Sequence, residues 1–512
     1  MPTTLHLRFA LLLLLYLGNR LAATATHIIG GDIAYSYISG SASRYHIVAR
    51  LYGRDPASGV PDQTTLALIF TRNGCSTTTA GSFSVLATRS QLAIRNLGCL
   101  GNGTYRVSTF ETDVTLLPDR WTITTTGENR ASIVNLTNPT TQSYNISAYL
   151  DNSSGLTNSS PFFTSFTLPY VCGSQPYRYS FSTFEADGDS LVYRAVPSMA
   201  APTSGSTVCG APMQYATYTG DQFQDPINGQ TASYPAGQFT PTLPILSFRA
   251  INGVAVPQYE LNARNGDLLT TPVMRVGLYA VVVRVDEYRR LNGIWTQIGS
   301  VMRDVVYSVF NAGGNRNPTF TSLTVTGAPT AQPVDQLIPV QAGQTVSLTF
   351  TATDPDAGQT VQISSDVATM LPGASFQMQG TNQGVLTWQV PTMLPSGRYN
   401  ATATVSDSNC PIGGSEVRTI TFIVAGQALS THTSQKNTLS AYPMPFHDQV
   451  QFKLLIAAVQ TVIVTDGLGR LVDTITSRPD GTVHWLPAAD VATGTYFAQP
   501  TIGGYICRLL RQ

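Results

Sequence analysis

Beyond the first 25 residues the chain alternates apolar and polar side chains with a period of two. IAYSYI (33–38), YHIVARLY (45–52), TVSLTFTA (345–352) and RTITFIV (418–424) each put apolar or aromatic groups on one face and Ser, Thr or Arg on the other, as half-buried strands do. Clusters of Gly, Pro, Asn and Asp separate these runs, and no long stretch carries apolar residues at helical spacing. The pattern predicts an all-β chain built as a string of sandwiches.

Two segments repeat each other. FSTFEADGDSLV (181–192) lies without gaps on FTATDPDAGQTV (350–361), matching Phe181 with Phe350, Glu185 with Asp354, Asp187 with Asp356 and Val192 with Val361. Further on, GLYAVVVRVDE (277–287) pairs with GRYNATATVSD (397–407) if one residue is inserted in the second copy. Each copy reads as strand, acidic turn, strands, Gly-x-Tyr, strand, acid. The first copy also carries a Gly/Pro/Thr-rich excursion before Gly266, expected as extra loop or hairpin. A repeat of this size favours stacked modules over an enzyme core.

The start of the chain breaks the pattern. MPTTLHLR is a short cationic stretch, FALLLLLYLG an apolar run too short to span a bilayer, and Ala23-Thr24-Ala25 a small-x-small cleavage site. Residues 1–25 are therefore expected to be a secretory signal peptide. No later segment reaches the ~18 uninterrupted apolar residues of a membrane helix. In an exported chain the six cysteines are open to oxidation. Cys75 with Cys99 and Cys172 with Cys209 are the expected local bridges, whereas Cys410 and Cys507 have no near neighbour.

Charge narrows the function classes. Only 11% of residues are charged, with 29 basic and 29 acidic, so no basic field exists to hold nucleic acid or an anionic membrane. Catalytic patterns are missing as well: no H-E-x-x-H, no histidine pair at i, i+4, and no G-x-S-x-G elbow. VTDGLGRLVDT (464–474) spaces Gly467 and Gly469 like a nucleotide-binding loop, but Val472 occupies the third glycine position, and Asp466-Gly467 signals a hairpin turn. Tyr215, Tyr218, Phe223 and Tyr234 in the excursion suit stacking on sugar rings or protein contacts, and equally suit plugging a sandwich edge. A glycosidase-like carboxylate pair among the acidic turns stays open, with structural acids the more frequent case.

Glu185-x-Asp187-x-Asp189 and Asp354-x-Asp356 place hard oxygen ligands at alternate positions of a turn, where they can converge on Ca²⁺ or simply make a solvated bend. The second copy, with ATDPDAGQ and GRYNATATVSD, resembles the immunoglobulin-like and cadherin-like repeats of bacterial surface proteins. That resemblance implies a calcium site in which Asp407 and Glu287 are the later acids and NRNPTF (315–320) is the joint, with Asn315 and Asn317 as ligands. The joint's usual Asp is replaced by Gly-rich sequence. THIIGGDIAY (26–35), NSSPFF (158–163), PYVCG (169–173), DGDSLVY (187–193), VRVDEY (283–288) and IGSVMRDVVYSV (298–309) resemble the opening region of large secreted proteins of gliding bacteria, a family of display rather than of a reaction.

After the polar linker 426–440, the block AYPMPFHDQVQFKL, TVIVTDGLGRLVDTI and GTYFAQPTIGGYICRLLRQ resembles the type A sorting domain of the type IX secretion system. The pattern falls on Tyr442, Pro443, Pro445, Phe446, Asp466, Gly469, Arg470, Gly494 and Tyr496, with Met444 where Asn is usual. The resemblance implies an outer-membrane translocon and a sorting protease as partners. The expected layout is a β-rich domain at 26–165, an elaborated Ig-like domain at 166–312, an Ig/cadherin-like domain at 317–425 and a sorting domain at 441–512. The expected function is non-enzymatic and adhesion-like, secreted or at the outer-membrane surface, with an unidentified surface glycan or protein ligand. The competing expectation is a carbohydrate-binding accessory or polymer-degrading hydrolase of the same pathway.

Overall fold

The alternation resolves into strands almost throughout. The structure, a computed structural model, describes residues 28–54, 63–72, 81–96, 104–202, 209–409, 412–425, 441–467, 469–501 and 506–512. The expected signal peptide and linker, with Cys75, Cys99 and Cys410, lie outside these. Among the described residues no helix is long and apolar enough to cross a membrane. The chain divides into two units, 1–427 and 428–512.

The first unit begins with seven antiparallel strands: β1 (Ile28–Tyr37), β2 (Arg44–Arg54), β3 (Thr65–Arg72), β4 (Phe83–Asn96), β5 (Thr104–Thr115), β6 (Arg120–Asn129) and β7 (Ser143–Asp151). They pair in the order β1-β2-β5-β4-β3-β6-β7. Both outer strands end on one further strand, Ile294–Phe310: Gly30 to Asp32 pair with Val305 to Arg303, and Ala148 to Leu150 with Val301 to Gly299. The sheet thus closes into a barrel through three paired residues at each end. Closure needs the Gly30-Gly31 pair, since a Cβ on Gly30 would stand 2.2 Å from the Asp304 carbonyl oxygen. Buried charges fix the seam. Asp32 accepts from Arg50 Nε at 2.7 Å and from Arg303 Nη2 at 2.8 Å, and Asp304 accepts from Arg130 Nη1 at 3.1 Å. Burial alone would raise the Asp32 pKa, but Arg50 and Arg303 outweigh it and hold the carboxyl below its usual range.

The same closing strand belongs to the first repeat. Its strands are β8 (Tyr170–Cys172), β9 (Tyr177–Ser180), β10 (Ser190–Ala195), β11 (Tyr259–Leu261), β12 (Asp267–Thr270), β13 (Gly277–Leu291) and β14 (Ile294–Phe310). One layer runs β8-β14-β13-β10, with β8 parallel to β14, and the other runs β9-β12-β11. Tyr177 and Tyr179 of one layer meet Tyr307 of the other edge-on, at 6.2 and 5.5 Å between ring centroids. The excursion forms short hairpins, such as Asp221–Gln224 with Thr231–Tyr234.

The second repeat has β15 (Thr319–Val325), β16 (Ile338–Gln341), β17 (Thr345–Thr353), β18 (Val361–Ser364), β19 (Ala374–Gln379), β20 (Gln383–Gln389), β21 (Gly397–Asp407) and β22 (Ser415–Ala425). Its layers are β15-β17-β20-β19 and β16-β22-β21-β18, with β16 parallel to β22. This is the strand order of an Ig-like sandwich, and the first repeat keeps its central part. The core packs Trp388 against Phe422 at 4.7 Å. In both copies the Gly-x-Tyr opens the long strand with a tyrosine corner: Tyr279 Oη donates to the Arg275 carbonyl at 3.0 Å, and Tyr399 Oη to the Pro395 carbonyl at 2.8 Å. The repeats are fused side to side. Thr402 Oγ1 donates to the Thr164 carbonyl at 3.0 Å, and Ser180 and Thr419 share a buried hydroxyl bond of 2.7 Å.

The second unit is a small sandwich. One layer pairs Ala441–Tyr442, Val450–Lys453 and Thr482–Trp485; the other pairs Leu471–Thr476, Thr461–Asp466, Gly494–Pro500 and Cys507–Arg511. Phe446, Trp485, Val462 and Leu509 fill the space between.

Candidate functional site

Two acidic turns carry the chemistry the sequence pointed to. In the first, Gly188 adopts φ +84°, and the chain folds back so that Glu185 accepts the backbone N–H groups of Asp187 and Asp189, each at 2.6 Å. Glu287 of β13 reaches the same place. One carboxylate oxygen each of Glu185, Asp189 and Glu287 lies within 4.8 Å of the others. Arg289, two residues on and on the same strand face, donates to Asp189 Oδ1 at 2.7 Å, Asp189 Oδ2 at 2.5 Å and Asp187 Oδ2 at 3.3 Å. Asn158 bridges, accepting from Arg289 Nη2 at 2.8 Å and donating to Glu287 Oε2 at 2.6 Å. Glu287 is fully buried, and its Oε1 has no partner.

Four carboxylates therefore face one guanidinium. Burial pushes the Glu185 carboxyl up to about 8, and burial together with the Glu185 charge raises Glu287 well above the carboxylate range. In this setting burial and the neighbouring negative charge favour the neutral form of both glutamates.

The second turn gathers the residues expected there. Asp354 Oδ1 accepts from the Asp356 N–H at 2.7 Å, while its Oδ2 is buried without a partner. Asp407 Oδ2 accepts from Asn315 Nδ2 at 2.8 Å and from the Gly414 N–H at 2.7 Å. Asn317 donates through Nδ2 to the Pro176 carbonyl at 2.9 Å, leaving its buried Oδ1 unpartnered. Arg316 takes both Asp356 oxygens, its N–H and Nε each at 2.7 Å, and these bonds hold Asp356 below its usual range. Burial raises both Asp354 and Asp407.

Arg289 and Arg316 were not singled out in the sequence, and each brings a positive charge to an acidic turn. The signal for Arg289 was its place two residues beyond Glu287 on one face of a strand. Asn158 carried no comparable signal, because it arrives from a loop 129 residues away in the chain.

Other expected residues fall elsewhere. Cys172 is a buried free thiol, so the expected Cys172–Cys209 bridge does not form, although Cys209 is disulfide-bonded. Cys172 sits in β8 against the acidic second turn, and burial with the Asp407 charge pushes its pKa to about 12. The excursion aromatics turn inward: Tyr234 is buried and stacks on Phe248 at 4.8 Å, and Tyr218 packs on Phe239 at 5.0 Å, so they plug a sandwich edge instead of forming a platform. A cavity of about 550 Å³ opens between Gln175, Arg178, Asn315 and Glu416, and neither it nor the adjoining cavity of about 530 Å³ is lined by the first acidic turn.

In the second unit the expected sorting residues build turns and anchors. Asp466 accepts from the Arg470 N–H at 3.0 Å and from Arg470 Nε at 2.7 Å, and Gly469 closes the bend with φ +78°. The left-handed glycine is thus Gly469, not Gly467 as the Asp-Gly signal suggested. Tyr496 Oη donates to the Ala492 carbonyl, a third tyrosine corner. Phe446 is buried on Trp485 at 5.6 Å, and its backbone ties down the last strand through the Leu510 carbonyl at 2.9 Å, whereas Tyr442, Pro443 and Pro445 are exposed. Gly494 opens the strand that Tyr496 corners.

No protein-family model matches the chain, and no curated protein matches it. Among solved structures, the titin I67–I69 fragment in an E-to-A variant aligns at 10% identity over 69% of this chain and 98% of its own, with TM-score 0.16. Drosophila OTK extracellular domains 3–5 align at 11% identity over 69% and 96%, with TM-score 0.16. Titin domains Z1Z2 in complex with telethonin align at 13% over 53% and 100%, with TM-score 0.14. These TM-scores are too low to add anything to the strand topology, which by itself identifies the repeats of this all-β chain as Ig-like.

Proposed function

We propose that the chain is a secreted, non-enzymatic, adhesion-like protein displayed at a bacterial outer surface, with residues 441–512 acting as a type IX sorting domain for the translocon and its sorting protease. The observation that carries this reading is the separate C-terminal sandwich, in which Asp466, Gly469, Arg470, Tyr496 and Phe446 of the motif each have a structural task. The body in front of it supports a display role, because barrel and both sandwiches are fused through shared strands and buried hydroxyl bonds. The acids of its first turn are tied into the turn and line neither described cavity. A periplasmic reporter fused to residues 426–512 behind a signal peptide tests the reading: it should reach the medium or cell surface of a type IX-competent host and stay periplasmic in a translocon mutant. Retention in both strains would refute it, and polymer hydrolysis by the purified full chain would favour the hydrolase alternative.

A second element of the proposal is a divalent cation, Ca²⁺ by the hard oxygen donors, shared by Glu185, Asp189 and Glu287. The unpartnered Glu287 Oε1 favours it, because a buried carboxylate oxygen with nothing to bind is costly. Calorimetric titration of the full chain with Ca²⁺ should release heat that Glu287→Gln abolishes. No heat at millimolar Ca²⁺ would remove the ion from the account.

A further inference from the structure

β13 and β14 form a hairpin closed by Asn292 and Gly293, whose φ of 49° and 85° suit a two-residue turn of the correct twist. Its tip carries Ile294 and Trp295, 70% and 60% exposed. Pairing places Arg194 of β10 beside Arg284, and Arg290 beside Trp295. Because side chains alternate, Arg194, Arg284, Asp286, Tyr288, Arg290 and Trp295 stand on one face, opposite to Glu287 and Arg289.

The ion pairs on this face are unequal. Arg194 Nε and Arg284 Nε both bind Asp286, at 3.0 and 2.7 Å, and Arg290 Nε has only the Gly293 carbonyl at 3.1 Å. Three guanidiniums against one carboxylate leave two positive charges in excess, on a chain that is neutral as a whole. The charges lie in a line: Arg284 and Arg290 are six residues apart on one strand, roughly 20 Å at ~3.3 Å per residue. Tyr288 lies between them and Trp295 at the end.

We infer that this face binds an acidic polysaccharide, a chain of sugar rings bearing carboxylate or sulfate groups. Guanidinium forks match such anions in a bidentate manner, and the flat faces of Tyr288 and Trp295 suit the apolar faces of sugar rings. A linear array fits a polymer better than a membrane, which would meet only the hairpin tip. The inference deepens the display reading by giving its ligand a chemistry, and rests on that reading for its biological setting.

The test is binding of the full chain to oligogalacturonate and heparin, with cellohexaose as neutral control and phosphatidylglycerol-containing vesicles as membrane control. The expected result is saturable binding to the two acidic glycans that weakens with salt. Arg290→Gln and Trp295→Ala, both at exposed positions, should each weaken it about tenfold with unchanged thermal unfolding. Undiminished binding in both variants, equal binding to cellohexaose, or binding to vesicles alone would overturn the assignment. Retention of both variants on a neutral glycan would do so while leaving display intact, whereas failure of the reporter fusion to leave the cell counts against display itself.

Discussion

Glu287 and Asn158 meet through one hydrogen bond, Asn158 Nδ2 to Glu287 Oε2 at 2.6 Å, and this is the single partner found for a fully buried carboxylate. The carboxylate belongs to a cluster already rich in negative charge.

A pH dependence follows. Glu185 has its folded pKa raised from 4.5 to about 8, and Glu287 is also raised well above its usual value. A raised acid binds more protons folded than unfolded, so its stabilisation is fully present below about pH 4.5 and is lost as pH rises through about 8. In EDTA the first unit should unfold at a temperature lower by a few degrees at pH 8 than at pH 5. Glu287→Gln should flatten that difference. Calorimetric unfolding at the two pH values checks both, and a higher Tm at pH 8 in EDTA would contradict the cluster's electrostatics.

The tyrosine corners predict a local cost. Tyr399→Phe removes a donor and leaves the Pro395 carbonyl without it, which should cost about 1 kcal/mol, and Tyr279→Phe the same through Arg275. Urea unfolding of the single variants measures this, and a double variant should be close to additive because each corner lies in its own repeat.

In the second unit, Gly469→Ala should cost about 1 kcal/mol or more, since it forces a side chain into the left-handed region at φ +78°. Gly467→Ala should be nearly neutral, because a Cβ there comes no nearer than 4.0 Å to the Thr495 carbonyl oxygen. Thermal unfolding of the two variants side by side distinguishes the turn's glycine from its neighbour.

Much of this was legible locally. Period-two alternation yields the strands, and Phe181 and Phe350, matched in the repeat, are both fully buried. The repeated Gly-x-Tyr marks equivalent corners. The barrel was not legible, because its closure rests on contacts remote in sequence: Arg303 with Asp32 is 271 residues apart. β14 serves the barrel and the first repeat at once and is buried along most of its length, so its sequence shows no alternation to reveal either role. The acids of the candidate site were visible, but their pairing with Arg289 and Arg316 was not, since a salt bridge is a property of the fold. The Cys172–Cys209 expectation failed for a related reason: nearness along the chain said nothing of where the two residues come to lie.

The measurement that bears most directly on the account is fractionation of a type IX-competent host expressing either the full chain or residues 1–440, read by mass spectrometry of medium, surface and periplasm. The account predicts that the full chain reaches the medium or surface, cut within or near 426–440, and that the truncated chain accumulates in the periplasm, folded. Equal export of the truncated chain would contradict it.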